Sequence, residues 1–202
     1  MDRRQLESAG AGYPHAYLQG FYGIPFGMAM ALVGLTNLTD PPVLVWIGII
    51  GPLLTVAAFF GVARYYRHRF GKVVHMRSRQ TRYLAAALVG FAVYVGADQL
   101  GRAVLGRPPL EPVSTTAAAW AVGMLVFYAI AAGLRAHHVV IWVTVFVAAL
   151  LPLWTMGADK DAVAYFPIAA ATVVAGLFDH RRLVLTFRSY RDLDFGNNHG
   201  DA

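Results

Sequence analysis

Long apolar stretches alternate with short polar ones along this chain. That pattern predicts helices that cross a membrane, because a spanning helix needs about 20 mostly apolar residues. Six stretches fit: 22–38, 43–63, 83–105, 117–134, 139–157 and 162–178. The first and sixth are at the short limit and are expected to extend by a turn into the interface. The expected architecture is all-α, a polytopic membrane bundle of six transmembrane helices. A polar tail, 1–21, precedes it and a second tail, 179–202, follows it. The first tail holds no apolar run, so no cleavable signal peptide is expected.

Turn chemistry punctuates the stretches. Asp40 is placed to cap the second helix, with Pro41 at its first helical position. Segment 106–116 carries three prolines and closes on a Ser114-Thr115-Thr116 cap. Asp161 is the expected cap of the sixth helix. The one substantial loop is 64–82. Its start continues the second helix, with Tyr65, Tyr66 and Phe70 at headgroup level, until Gly71 offers a stop. Ser78 is placed to cap the third helix.

Composition agrees. Of 202 residues, 57% are hydrophobic and 14% charged, against a typical ~25% charged for soluble domains. The mean hydropathy is +0.51. A soluble fold and a disordered chain are both excluded by these values. Cysteine is absent, which excludes disulfides, iron–sulfur clusters and thiol catalysis.

Charge sets the orientation. With alternating spans, 14 of the 17 Arg and Lys fall on one side, in the two tails and the 64–82 and 135–138 loops. The other side holds Arg102, Arg107 and Lys160. The positive-inside rule then makes both termini cytoplasmic. The Arg-over-Lys, Ala-rich usage points to a bacterial plasma membrane. The net charge of +6 is explained by orientation, so nucleic acid is not an expected partner.

No segment outside the spans is long enough for a catalytic domain, and no Walker or dinucleotide loop is present. An ATPase, a kinase or a DNA-binding domain is therefore excluded. Arg64, Arg67, Arg69, Lys72, Arg77, Arg79, Arg82, Arg181 and Arg182 form a candidate face for anionic lipid or an acidic partner. In the second tail, Leu183, Phe187 and Tyr190 share one helical face and Arg181, Arg188 and Arg191 another, the pattern of an interfacial amphipathic helix.

Inside the spans Asp98 is the only acid. It lies about 22 Å along its helix, in the outer third of a ~30 Å core. Arg102 follows at i+4, the favourable order for an ion pair. Asp98, Gln99 and Arg102, with Asn37 from the end of the first span, are the candidates for an outward-facing polar pocket; a local ion pair is the simpler reading.

Other signals are weaker. Pro25, Pro52, Pro152 and Pro167 fall inside spans, where proline kinks helices. Gly23 and Gly27 form a GxxxG, and Ala129/Gly133 and Ala171/Ala175 have the same spacing. Ala132-Gly133-Leu134 with His137 recurs as Ala175-Gly176-Leu177 with His180, each expected to end a helix. His137, His138 and His180 border the same surface, but a zinc site needs more ligands and Asp179 is the only nearby acid. Asp179 and His180, as helix neighbours, do not face one another and form no dyad. No catalytic residue, metal or other cofactor is assigned.

Two function classes follow. The first is a non-enzymatic accessory, sensory or scaffold subunit that engages lipids, a protein partner or its own copies at a basic cytoplasmic face. The second is a small-solute transporter or channel-like protein using the group around Asp98.

Overall fold

The computed structural model describes residues 20–38, 41–70, 77–105, 113–131, 133–151 and 160–196. These form six α-helices and no strand. A 3-10 turn, Gly20–Tyr22, leads into α1, Gly23–Leu38. The others are α2, Pro41–Phe70; α3, Arg77–Leu105; α4, Thr115–Ala131; α5, Ala136–Leu150; and α6, Lys160–Gly196. Four segments are long and apolar enough to cross a membrane: Gly20–Leu38, Leu44–Arg69, Thr81–Val104 and Ala162–Leu185.

The helices run alternately up and down between two ends of one bundle. At one end Gly20 meets Gly176 and Arg82 reaches the Ile130 carbonyl, while His137 meets Asp179. At the other, Gly34 meets Ala162, Ser114 N–H donates to the Ala149 carbonyl at 2.9 Å, and Asp98 pairs with Arg102. We call these the basic end and the opposite end.

The six apolar stretches are all helical; the first and third end at Leu38 and Leu105 as expected, while the fourth, fifth and sixth depart from expectation. The fourth stops at Ala131 rather than 134, and Gly133 follows at φ 79°, a left-handed conformation suited to glycine. The fifth stops at Leu150 rather than 157. Leu151 is extended because it precedes Pro152, whose ring disfavours helical backbone before it. At 17 and 15 residues, α4 and α5 are thus shorter than a full span. The sixth does not end near 178; it continues unbroken to Gly196. At 1.5 Å per residue α6 is about 55 Å long, beyond any bilayer core.

Three expected punctuation points can be compared. Ser114 Oγ accepts from Ala117 N–H at 3.2 Å and caps α4. Pro41 opens α2, and α2 runs to Phe70. Helix α6 opens at Lys160, one residue before Asp161. Asp40, Gly71 and Pro152 lie outside the described residues, as does the side chain of Ser78. Pro25 sits in the first turn of α1, where the missing N–H has no helical partner to lose. Helices α2 and α6 continue through Pro52 and Pro167.

Small residues set the packing. A Cβ on Gly23, Gly27 or Gly34 would stand 2.7–2.9 Å from the Thr172, Ala169 and Ala162 carbonyl oxygens, so α1 lies against the α6 backbone. The GxxxG is therefore a contact surface. Gly90 and Gly123 make a second close approach, between α3 and α4. Ala129 is exposed and Gly133 meets no neighbour, so that pair packs nothing. Nor does the Ala-Gly-Leu repeat hold as structure, since Gly133 breaks a helix and Gly176 sits within one.

The core lies between α4, α5 and α6, around Ala117, Ala149 and Ile168 at one level and Ala121, Trp142 and Ala171 at another. Helix α2 flanks α1 and α3 flanks α4, each turning apolar side chains outward. Trp46 is 65% and Phe60 73% exposed, values that suit hydrocarbon and not water.

Candidate functional site

Two polar clusters occupy the basic end, and helix phase separates them. Asp179 and His180 are neighbours on α6, about 100° apart around its axis. Asp179 turns toward α5 and His180 toward α2.

The first cluster centres on the Asp179 carboxylate, which is buried. Arg135 Nη1 donates to Oδ1 at 2.9 Å. His137 Nε2 lies 3.0 Å from Oδ1 and His138 Nε2 3.0 Å from Oδ2. An ionised carboxylate only accepts, so each imidazole presents an Nε2–H to it. Nδ1 of both rings is buried without a hydrogen-bond partner. His138 is fully buried and stacks on Tyr128 with centroids 3.8 Å apart. Burial holds the His137 imidazole below its usual pKa, and His138 beside it acts the same way; Asp179 opposes both. His137 is consequently a neutral ring near pH 7.

The second cluster ties the 3-10 turn to α2 and α6. Phe21 N–H donates to Tyr66 Oη at 2.9 Å, and the same oxygen lies 3.0 Å from His180 Nδ1. The Phe21 ring stacks on His180 with centroids 3.6 Å apart. Leu183 is buried beneath, against Tyr66, Phe21 and Tyr22. The start of the expected interfacial helix is therefore packed into the bundle. The side chains of Phe187, Arg188, Tyr190 and Arg191 lie outside the described ones. His180 does not join His137 and His138.

The Tyr66–His180 contact brings the basic residues of two helices to one level. Arg64, Arg67 and Arg69 on α2 are exposed, and so are Arg181 and Arg182 on α6. Arg82 donates through Nε to the Ile130 carbonyl at 2.7 Å, satisfying the end of α4. Lys72 and the side chains of Arg77 and Arg79 lie outside the described ones.

At the opposite end Asp98 is buried and pairs with Arg102 Nε at 2.9 Å. Arg102 Nη2 also donates to Thr116 Oγ1 at 3.0 Å, and that hydroxyl reaches back to Asp98 Oδ1 at 3.4 Å. Thr116 is the residue that sequence reasoning assigned only to a cap. Gln99 is exposed, and Asn37 donates to the Val33 carbonyl of its own helix at 2.7 Å. A recess of about 130 Å³ lies nearby, lined by Ala97, Gly101, Thr115, Ala119, Phe146 and Leu150 among others. It is apolar, and Asn37, Asp98, Gln99 and Arg102 are not among its lining residues.

No family model, curated protein or solved structure matches the chain.

Proposed function

We propose that this protein is a non-enzymatic, six-span scaffold of the bacterial plasma membrane. Both termini are cytoplasmic, and the basic end engages anionic phosphate groups of the inner leaflet. The observation that carries this reading is the convergence of exposed Arg64, Arg67 and Arg69 with exposed Arg181 and Arg182 around the Tyr66–His180 contact. Each basic residue near an anionic leaflet contributes about 1 kcal/mol. Guanidinium groups also pair with phosphate in a two-pronged geometry. An acidic protein partner of the same surface must compete with lipid for these arginines.

The alternation of six helices between two ends supports six crossings, with α4 and α5 shielded by their neighbours where they fall short. The transport reading is disfavoured because Asp98 is paired with Arg102 and hydrogen-bonded by Thr116 within the bundle.

The test is backbone hydrogen exchange over residues 64–69 in nanodiscs. Exchange is expected to be slower with phosphatidylglycerol than with phosphatidylcholine, and faster again in high salt. Equal exchange in both lipids would contradict the proposal.

A further inference from the structure

The geometry points to a divalent transition-metal site formed by His137, His138 and Asp179, where α5 begins against α6. The three offer one ligand atom each, all within 4.8 Å of one another. Two imidazole nitrogens and one carboxylate oxygen are a donor set for zinc and its first-row neighbours, and not for calcium or magnesium. The ligand number leaves one tetrahedral position to solvent.

The fit is geometric. Zinc bonds of ~2.0–2.2 Å place tetrahedral ligands about 3.3 Å apart. His138 Nε2 stands 3.0 Å from Oδ2, already close to that edge, while His137 Nε2 stands 3.0 Å from Oδ1. Sharing one ion through Oδ2 asks the imidazoles to draw together and His137 to shift toward Oδ2, within a set of ligand atoms no more than 4.8 Å apart. The two rings are 4.1 Å apart between centroids, and they stand on consecutive residues in the first turn of α5. Consecutive helical residues ordinarily diverge. Here both rings turn onto one carboxylate that is 41 and 42 residues away in sequence.

Surroundings favour coordination as well. To bind a metal through Nε2, each ring must carry its proton on Nδ1 instead. The present tautomer is held by the two Nε2–H bonds to Asp179, which the ion would replace, and neither Nδ1 is tied to any other group. Two hydrogen bonds to Asp179 are exchanged for two metal–nitrogen bonds, and the coordination must outweigh the two buried Nδ1–H groups it creates. Arg135 stays on Oδ1 and orients the carboxylate, the outer-shell role that ligating carboxylates require, and Oδ2 turns to the ion. His138 cannot leave, because it is fully buried under Tyr128.

The experiment uses full-length, tag-free protein in mild detergent, stripped with a chelator and titrated with Co²⁺, whose visible absorption intensifies in a low-coordinate nitrogen-containing shell. Wild type is expected to take up one equivalent with that spectrum, to release it to Zn²⁺, and to unfold at a higher temperature when loaded. His137→Gln retains an amide donor toward Asp179, so it keeps the fold. It is expected to weaken uptake by more than roughly tenfold, as is Asp179→Asn. His68→Gln, an exposed position on α2, is expected to bind as wild type. Absence of saturable uptake by folded wild type would overturn the site, with no variant needed. So would uptake that His137→Gln leaves intact.

Discussion

His138 and Asp179 are bonded at 3.0 Å although the chain separates them by 41 residues, and both are buried. A buried carboxylate is tolerated only when it is paired and hydrogen-bonded. Arg135, His137 and His138 meet that requirement together, and so lock the start of α5 to α6.

Asp179→Ala should therefore be among the more damaging substitutions in the metal-free protein. It leaves the Arg135 charge and two imidazole N–H groups without an acceptor. The expected loss is about 3 kcal/mol, the range for breaking one side of a buried pair. Removing His137 alone deletes one neutral donor and should cost about 1 kcal/mol. Chelator-treated protein unfolded in detergent measures both, and equal losses would contradict the assignment.

Glycine substitutions should separate contact from open space. A Cβ on Gly23 would stand 2.7 Å from the Thr172 carbonyl oxygen, which belongs to backbone and cannot rotate away. Gly23→Ala should destabilise α1 against α6 by about 1–3 kcal/mol. Gly48 meets nothing within 4 Å, so Gly48→Ala should be neutral or gain up to about 1 kcal/mol from helix propensity. Thermal midpoints decide the matter: that of Gly23→Ala should fall and that of Gly48→Ala should not.

Tyr66→Phe removes one oxygen that serves both Phe21 N–H and His180. The expected cost is about 1 kcal/mol, with the Phe21 amide left unpaired at the basic end. Amide exchange at Phe21 should accelerate while exchange in the middle of α6 stays unchanged. Uniform acceleration would mean that the contact holds the whole bundle and not the turn.

Much of the fold was legible in the sequence because hydrocarbon-length apolar stretches are a coarse, strong signal. All six are helices. The ends of the first and third were legible, but those of the fourth and fifth were not, since each depends on one residue's backbone: Gly133 at positive φ, and Leu151 extended before Pro152. The continuation of α6 past 178 was hidden for another reason. Arg181 and Arg182 look like a membrane boundary, yet Leu183 of α6 is buried against Tyr66 of α2 and keeps the helix packed.

Of the candidate site, the Asp98–Arg102 pair was readable from i,i+4 spacing alone. Thr116 was not, because it joins from another helix. The nonalignment of Asp179 and His180 followed from helix phase, but the partner of each did not. Those partners lie 41 to 44 residues from Asp179 and more than 100 from His180, and only packing selects them. A His-His pair near a lone acid was too thin a signal for a metal site until the fold closed it.

Orientation has a clean test because the chain lacks cysteine, so any introduced thiol is unique. Asn37→Cys lies at the opposite end and Arg67→Cys at the basic end, both at exposed positions. A membrane-impermeant maleimide added to spheroplasts should label Asn37→Cys, and should label Arg67→Cys only after lysis. The reverse pattern would invert the bundle.

The most direct measurement is native mass spectrometry of protein released from nanodiscs containing equal phosphatidylglycerol and phosphatidylcholine. The account predicts that wild type retains phosphatidylglycerol preferentially. Changing Arg64, Arg67, Arg69, Arg181 and Arg182 to Gln together should abolish the preference without unfolding the bundle. Equal retention of the two lipids by wild type, or a preference that survives loss of the five arginines, would contradict it.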